Sequence, residues 1–199
     1  MISGNARDPF RVRFLMIGSE DSSRANFVRK ARLAGALYLL TIILGMFAAF
    51  VGNPSYSRPA LIIGTAAYGG VTVLLYLIFK PVNPPLSLIA AAFSLAGCAI
   101  SILETAHIYQ APFNSLVLFG FYCLMLGWLS LRSEFTPRVV GWLVGVAGVG
   151  WLTYMIPPLA KQLVYVTMAT GLIGEGSLTV WLLAGSMRPK PRRITGSLD

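Results

Sequence analysis

One acidic residue, Glu175, stands in an otherwise apolar stretch, GLIGEGSLTVW, and is the first candidate for chemistry. A charged acid at the bilayer centre costs about 2.5–3.5 kcal/mol on insertion scales, so such residues usually face a bundle interior or a cavity. This placement is typical of a proton-transfer group, a cation site or an anchor for a polar ligand. The alternative is a packing role, in which the carboxyl bonds to a neighbouring helix.

A second candidate pair is Glu104 and His107, whose i, i+3 spacing predicts one shared face near the outer end of a helix. Glu-x-x-His is half of the di-iron carboxylate motif, which needs a second copy. His107 is the chain's single histidine, so we predict no metal site and no haem held by two histidines. The pair is expected to be either a hydrated interfacial pair or a polar entrance to a cavity above Glu175.

Sequence motifs of common enzymes are absent from the chain. It contains no Gly-x-x-x-x-Gly-Lys-Ser/Thr loop, no Gly-x-Ser-x-Gly elbow and no His-Glu-x-x-His motif. Cys98 and Cys123 lie in apolar stretches and are expected to behave as small buried hydrophobes. We therefore name no catalytic residue and no cofactor; a protein that is not an enzyme is favoured, and an enzyme stays an open alternative.

The composition separates this chain from soluble proteins. Of its 199 residues, 56% are hydrophobic and 12% are charged, whereas soluble domains carry about 25% charged residues. An ordinary soluble domain and a disordered chain are both excluded. The net charge is +9, but the basic residues flank apolar segments, which is the pattern of membrane orientation rather than of nucleic-acid binding.

Six apolar runs of helical length account for most of the chain. A bilayer core of ~30 Å needs roughly 20 apolar residues per spanning helix, and a membrane excludes open strands. We predict an all-α fold, an integral membrane bundle of six transmembrane helices. The runs are residues 33–51, 60–79, 86–107, 113–131, 139–156 and 162–185.

The predicted domains are a basic tail at residues 1–30, a six-helix transmembrane domain at 31–187 and a second basic tail at 188–199. We expect the first tail to be mobile, and Met16 is an alternative start. With six spans, 14 of the 16 Lys and Arg residues lie on the side of the two tails. The positive-inside rule then predicts that both termini are cytoplasmic. Anionic lipid heads are the expected partners of this basic side.

Four glycines are predicted to mediate helix packing. Gly141 and Gly145 form a small-xxx-small pair in the fifth run, and Gly171 and Gly174 lie in the sixth. Small residues let two helix backbones approach closely inside a membrane. A dimerisation face or a hinge is the alternative interpretation of these positions.

Several motifs go beyond apolar composition. They are RKARLAGALYLL at 29–40, GFYCLMLG at 120–127, LRSEFTPRVVG at 131–141, Gly174-Glu175 and Trp181-Leu182-Leu183. On these motifs the chain resembles a family called domain of unknown function 4386. The similarity covers about residues 29–186 and is strongest in the second half. It implies a six-helix protein of the bacterial cytoplasmic membrane, carries no established activity, and places Glu175 in a recurring Gly-Glu context.

Three functions are compatible with these features. The first is a membrane protein that binds or moves a proton, or a small apolar or cationic ligand, around Glu175. The second is a structural or regulatory subunit that binds a partner protein, or a second copy of itself, through glycine-rich helix faces. The third is an intramembrane enzyme acting on a lipid-like substrate. This third function needs a second catalytic group, and Glu104 is expected roughly 10 Å or more above Glu175.

Overall fold

The computed structural model describes residues 9–184, and the side chains of residues 24–184. Within these residues every regular element is helical, which confirms the all-α fold class. A short 3-10 turn, Thr153–Met155, joins the last two helices. The six α-helices of the described chain are α1 (Pro9–Val51), α2 (Pro54–Phe79), α3 (Pro84–Thr105), α4 (Leu116–Arg132), α5 (Arg138–Leu152) and α6 (Pro157–Ala184).

Five helical segments of the described chain are long and apolar enough to cross a membrane. The remaining helix, α4, is apolar but has 17 residues. At 1.5 Å per residue α4 is about 26 Å long, somewhat less than a hydrocarbon core of about 30 Å. The five segments are Arg24–Val51, Pro54–Phe79, Pro84–Thr105, Arg138–Met155 and Pro157–Ala184.

Helix α1 begins well before the first apolar run in the sequence. It begins at Pro9, so residues 9–30 of the predicted tail are helical, and their mobility stays a prediction. Proline suits the first turn of a helix, and no second proline interrupts this segment. The predicted tail at 188–199 and the last three residues of the predicted transmembrane domain lie outside the described residues.

Asparagine caps start two of the helices. The Asn53 side chain accepts a hydrogen bond from Ser55 N at 2.9 Å, and Asn83 accepts one from Leu86 N at 3.1 Å. A proline follows each cap in the first turn, where its missing N–H has no intrahelical partner to lose. Helix α2 therefore begins six residues before the apolar run that predicted it.

The six helices form a closed ring. Each helix packs against the helices before and after it, and α1 packs against α6. Short connections make sequential helices neighbours, as expected for such bundles. We call the end with the α2–α3 and α4–α5 connections the lower end, and the opposite end the upper end. The ring directs one face of every helix toward a shared interior.

Glycines bring α4 and α5 into close contact. A Cβ added to Gly127 would lie 2.9 Å from both the Gly141 oxygen and the Gly145 nitrogen. A Cβ on Gly148 would lie 2.9 Å from the Gly120 oxygen. Since the two backbones leave no room for side chains at these points, α4 is held tightly in the ring despite its shortness.

An aromatic side chain closes the lower end. Phe135, in the α4–α5 connection, packs edge-on against Phe27 of α1 with ring centroids 5.3 Å apart. Its ring also lies 5.4 Å from that of Phe79 of α2. Phe135 thus joins helices on opposite sides of the ring at its lower end.

Candidate functional site

Glu175 joins three helices inside the ring. Its Oε1 accepts a hydrogen bond from Trp151 Nε1 of α5 at 3.1 Å. Cys123 Sγ of α4 lies 4.0 Å from the same oxygen and donates weakly to it. Glu175 itself is half-buried on α6, and Cys123 has no exposed area. The acid that the sequence singled out therefore has specific polar neighbours on α4 and α5.

Two tyrosines bring α1 and α2 to the same place. The Tyr38 and Tyr68 hydroxyl oxygens lie 3.3 Å apart and share a hydrogen bond. Their rings meet edge to face, with centroids separated by 5.2 Å. Tyr38 has no exposed area and is close enough to Glu175 for electrostatic interaction. Each phenol can both donate and accept a hydrogen bond. The pair therefore links α1 and α2 by a hydrogen bond that either hydroxyl can donate.

Hydroxyl groups extend the site to α3. Thr72 Oγ1 lies 2.6 Å from Ser94 Oγ, and Thr72 also donates to the Tyr68 carbonyl at 3.0 Å. The Tyr122 ring of α4 packs against Tyr68, with centroids 6.1 Å apart. All six helices therefore contribute to one group of side chains, which we call the central polar cluster. Its members are Tyr38, Tyr68, Thr72, Ser94, Tyr122, Cys123, Trp151 and Glu175.

Two glycines of α6 make room for this arrangement. A Cβ on Gly171 would lie 2.5 Å from Cζ2 of Trp151, and one on Gly174 would lie 2.6 Å from the Leu143 oxygen. The indole can lie over α6 and reach Glu175, one helical turn below Gly171, because residue 171 carries no side chain. Gly171 and Gly174 therefore face α5 of the same chain, and Gly141 faces Leu131 of α4.

The chemistry open to this carboxyl follows from its bonds. Trp151 and Cys123 both donate to Oε1 of Glu175, and the Tyr38 phenol is a further donor beside the carboxyl. A carboxyl can take up a proton and can accept hydrogen bonds at its oxygens. Glu175 can therefore take up a proton or contact a small cation while these donors stay in place.

Glu104 holds the α3–α4 connection in place at the upper end through hydrogen bonds. Its Oε1 accepts a hydrogen bond from Ala111 N at 3.3 Å, and its Oε2 accepts one from Ser115 Oγ at 3.2 Å. These bonds tie the α3–α4 connection to the end of α3. Glu104 also lines an open cavity of about 750 Å³, whose opposite wall includes Tyr154 and Lys161.

The prediction that Glu104 and His107 share a helical face is wrong. Helix α3 ends at Thr105, and His107 has a φ of 58°, the left-handed conformation that often follows a helix end. This turn moves His107 off the helical face, and its side chain is exposed. In the part of the chain with described side chains, no three His, Cys, Asp or Glu residues are placed to hold a metal ion.

The upper cavity and Glu175 are connected through two aromatic rings. Tyr154 lines the cavity, and its ring lies 6.2 Å from that of Trp151. Trp151 in turn donates to Glu175. The Trp151 indole therefore lies between the upper cavity and the acid, and a polar entrance at Glu104 stays a prediction.

Several members of the central polar cluster were not candidates from sequence. Tyrosine and tryptophan are frequent near membrane interfaces, so Tyr38, Tyr122 and Trp151 gave no signal by residue type. A usable signal was present on α2, where Tyr68 and Thr72 lie one turn apart on an otherwise apolar face. Cys123, expected to be a simple hydrophobe, contacts the acid.

Comparison with known proteins identifies relatives of this chain. Residues 110–185 match the model of a family described as Domain of unknown function (DUF4386). An "Uncharacterized protein" of Archaeoglobus fulgidus is 30% identical over 122 residues, which cover 57% of this chain and 73% of that protein. No solved structure matches the chain significantly. The family match contains half of the central polar cluster: Tyr122, Cys123, Trp151 and Glu175.

Proposed function

The chain belongs to the family described as domain of unknown function (DUF4386), as its sequence resemblance predicted, and we propose that it takes up and passes on a proton at Glu175 within a membrane. The observation that carries this proposal is the bond from Trp151 to Oε1, which holds the carboxyl inside the ring beside the phenol of Tyr38. Acids inside membrane bundles commonly serve proton transfer.

The packing around Glu175 favours a proton over a larger ligand. Tyr38 and Cys123 are fully buried beside the carboxyl, so a molecule of several atoms would have to displace them. A proton needs no cavity. The hydroxyls of Tyr38 and Tyr68, already bonded to each other, both donate and accept hydrogen bonds and suit a proton carrier.

A second candidate is a small cationic ligand at the upper cavity. Its volume of about 750 Å³ is in the range of ligand pockets, and Glu104 supplies negative charge to its wall. Lys161 on the same cavity opposes a cation, which makes this the weaker proposal. His107 is exposed and is not among the residues that line this cavity.

The alternative of a partner-binding subunit has less support. Gly141, Gly171 and Gly174 face neighbouring helices of their own chain, so these glycines are used within the ring. Gly145 has open space at its Cβ position within the described part of the chain, and it is the remaining candidate for contact with a partner or a second copy.

We propose six membrane spans, in which α4 is the shortest segment, with 17 residues against 18 for α5 taken together with its 3-10 turn. Since α4 packs between α3 and α5 in the ring, it crosses with them. The lower end then faces the cytoplasm of a bacterial cell, with both termini inside, because 14 of 16 basic residues lie on that side. Exposed Arg24, Arg29 and Arg32 would bind anionic lipid heads there.

The orientation is tested by labelling single cysteines in intact cells. Variants Cys98→Ser and Cys123→Ser supply the background, and one cysteine is introduced at Ser57 or at Ser133. An impermeant maleimide should label residue 57 and leave residue 133 unlabelled until the membrane is opened. Labelling of residue 133 in intact cells would reverse the orientation.

Proton movement is tested with purified protein in liposomes that enclose a pH-sensitive dye. The native protein should dissipate an imposed pH difference, and Glu175→Gln should reduce the rate to that of protein-free liposomes. Glu134→Gln is the matched control, because it makes the same substitution at an exposed acid of the α4–α5 connection. Native rates in Glu175→Gln, or no rate above protein-free liposomes in the native protein, would contradict the proposal.

A further inference from the structure

A second, much smaller cavity lies directly below the central polar cluster. Its volume is about 10 Å³, and its wall combines apolar side chains with the hydroxyl-bearing residues Thr72, Tyr76, Ser87 and Tyr122. A buried water needs roughly 10–15 Å³ and two to four polar partners. The cavity therefore has the size and the lining of a site for one water molecule.

The Tyr122 hydroxyl provides an independent indication of a ligand. Tyr122 is 2% exposed, and its Oη has no hydrogen-bond partner among the described residues. Thr72, Ser87 and Tyr122 line the same cavity. A bridging water is expected where a buried hydroxyl without a partner lies beside other hydroxyl groups.

One water can bond to three of the hydroxyls on the cavity wall. Ser87 Oγ donates to the Tyr76 carbonyl at 3.3 Å, and Thr72 donates to the Tyr68 carbonyl, so both oxygens can still accept. The Tyr122 O–H can donate to the water, which donates its two hydrogens to Thr72 and Ser87. Three bonds are typical of a buried water.

We infer that a structural water bonded to Tyr122, Thr72 and Ser87 extends the central polar cluster toward the lower end of the ring. Thr72 stands seven residues before the end of α2, and Ser87 stands three residues after the start of α3. At 1.5 Å per residue, Thr72 lies about 10 Å and Ser87 about 5 Å from the lower ends of their helices. The role of this water in a proton route rests on the proposed function. The existence of the water site is independent of that function.

The first test asks whether the substitution Tyr122→Phe lowers or raises the melting temperature. Tyr122→Phe removes one oxygen and keeps the ring. If a water bonds to this hydroxyl, the melting temperature of the protein in nanodiscs should fall by about 2–4 °C. If the hydroxyl is unpaired, its removal should raise the melting temperature and overturn the inference. Tyr165→Phe, at a residue that is 86% exposed, is the control and should leave the melting temperature unchanged.

The second test detects the water itself. Exchange of ordinary water for oxygen-18 water shifts O–H stretching bands of bound water and no band of the protein. The native protein and Tyr165→Phe should show such a band in infrared spectra, and Tyr122→Phe should lose it. Absence of the band in the native protein, or its persistence in Tyr122→Phe, would overturn the inference.

The liposome assay tests the route. Tyr122→Phe should slow proton movement about tenfold, the effect of losing one hydrogen bond of about 1.4 kcal/mol from the path. An unchanged rate would overturn the route. If the native protein moves no protons, the proposed function and the route fail together, while the melting temperature and the isotope-sensitive band still decide whether the water site exists.

Discussion

Trp151 Nε1 lies 3.1 Å from Glu175 Oε1, although the two residues are 24 positions apart and belong to different helices. This bond depends on the absence of a side chain at Gly171, over which the indole lies. Gly171 leaves room for the indole, and Trp151 supplies the hydrogen bond, so both residues act on Glu175. The predictions below test the bond, the packing that permits it and the connections around it.

Replacement of Gly171 by alanine should displace the Trp151 indole. The new Cβ would lie 2.5 Å from the ring, so the indole must move away from Glu175. We expect a loss of about 1–3 kcal/mol in the free energy of unfolding, the usual cost of overpacking. Gly176→Ala is the control on the same helix, since its Cβ would meet no described atom within 4 Å. Equal stabilities of the two variants in chemical denaturation would contradict this packing.

Replacement of Trp151 by phenylalanine should keep an aromatic ring and remove the N–H donor. The weak Cys123 thiol and the Tyr38 phenol then remain as donors beside Glu175. Removal of the indole donor should cost about 1–3 kcal/mol in the free energy of unfolding. At a pH at which the carboxyl is protonated, the C=O stretch of Glu175 in infrared spectra should move to higher frequency. Trp142→Phe, at a residue 65% exposed, should change neither stability nor spectrum; the same response in both variants would count against the bond.

Gly127→Ala should disrupt the contact between α4 and α5. The added methyl would lie 2.9 Å from backbone atoms of Gly141 and Gly145, which cannot rotate away as a side chain can. We expect a loss of at least about 3 kcal/mol, at the upper end of overpacking costs. The mirror change Gly145→Ala places its methyl in open space and should cost little. Unfolding curves should show a larger loss of stability in Gly127→Ala than in Gly145→Ala. Equal losses would contradict the described contact between α4 and α5.

Glu104→Ala should loosen the connection between α3 and α4. The substitution removes the acceptor for Ala111 N and Ser115 Oγ, so the tether of this segment is lost. Hydrogen exchange of the amides at residues 108–115 should become about tenfold faster, the effect of about 1.4 kcal/mol. His107→Ala is the control, because that side chain is exposed and makes no described hydrogen bond. Unchanged exchange in Glu104→Ala would show that the connection is held by other contacts.

Much of the local structure was predictable because its signals are local. Each apolar run is a continuous stretch of the chain, so the approximate positions of all six helices followed from the sequence. The failures were also local in origin. His107 was assigned to a helical face because nothing in its residue type indicates a left-handed φ, and α2 begins before its apolar run because the Asn53 cap and the following proline start the helix there.

The central polar cluster could be predicted only in part. Glu175 was found because an acid in lipid is costly wherever its partners lie. Its partners were not found, because a donor such as Trp151 becomes significant only when its helix is rotated so that the indole faces the acid. Composition and spacing do not determine that rotation.

The sequence by itself determined the helical class, the apolar character of the chain and the one acid that needs an interior. These follow from the free energy of each residue in lipid or water, which is a property of the residue and its near neighbours. Only the tertiary structure decided that the ring closes between α1 and α6 and that Trp151, Cys123 and Tyr38 surround Glu175. Those outcomes depend on how six helices rotate and approach one another, which is set by contacts between residues far apart in the chain.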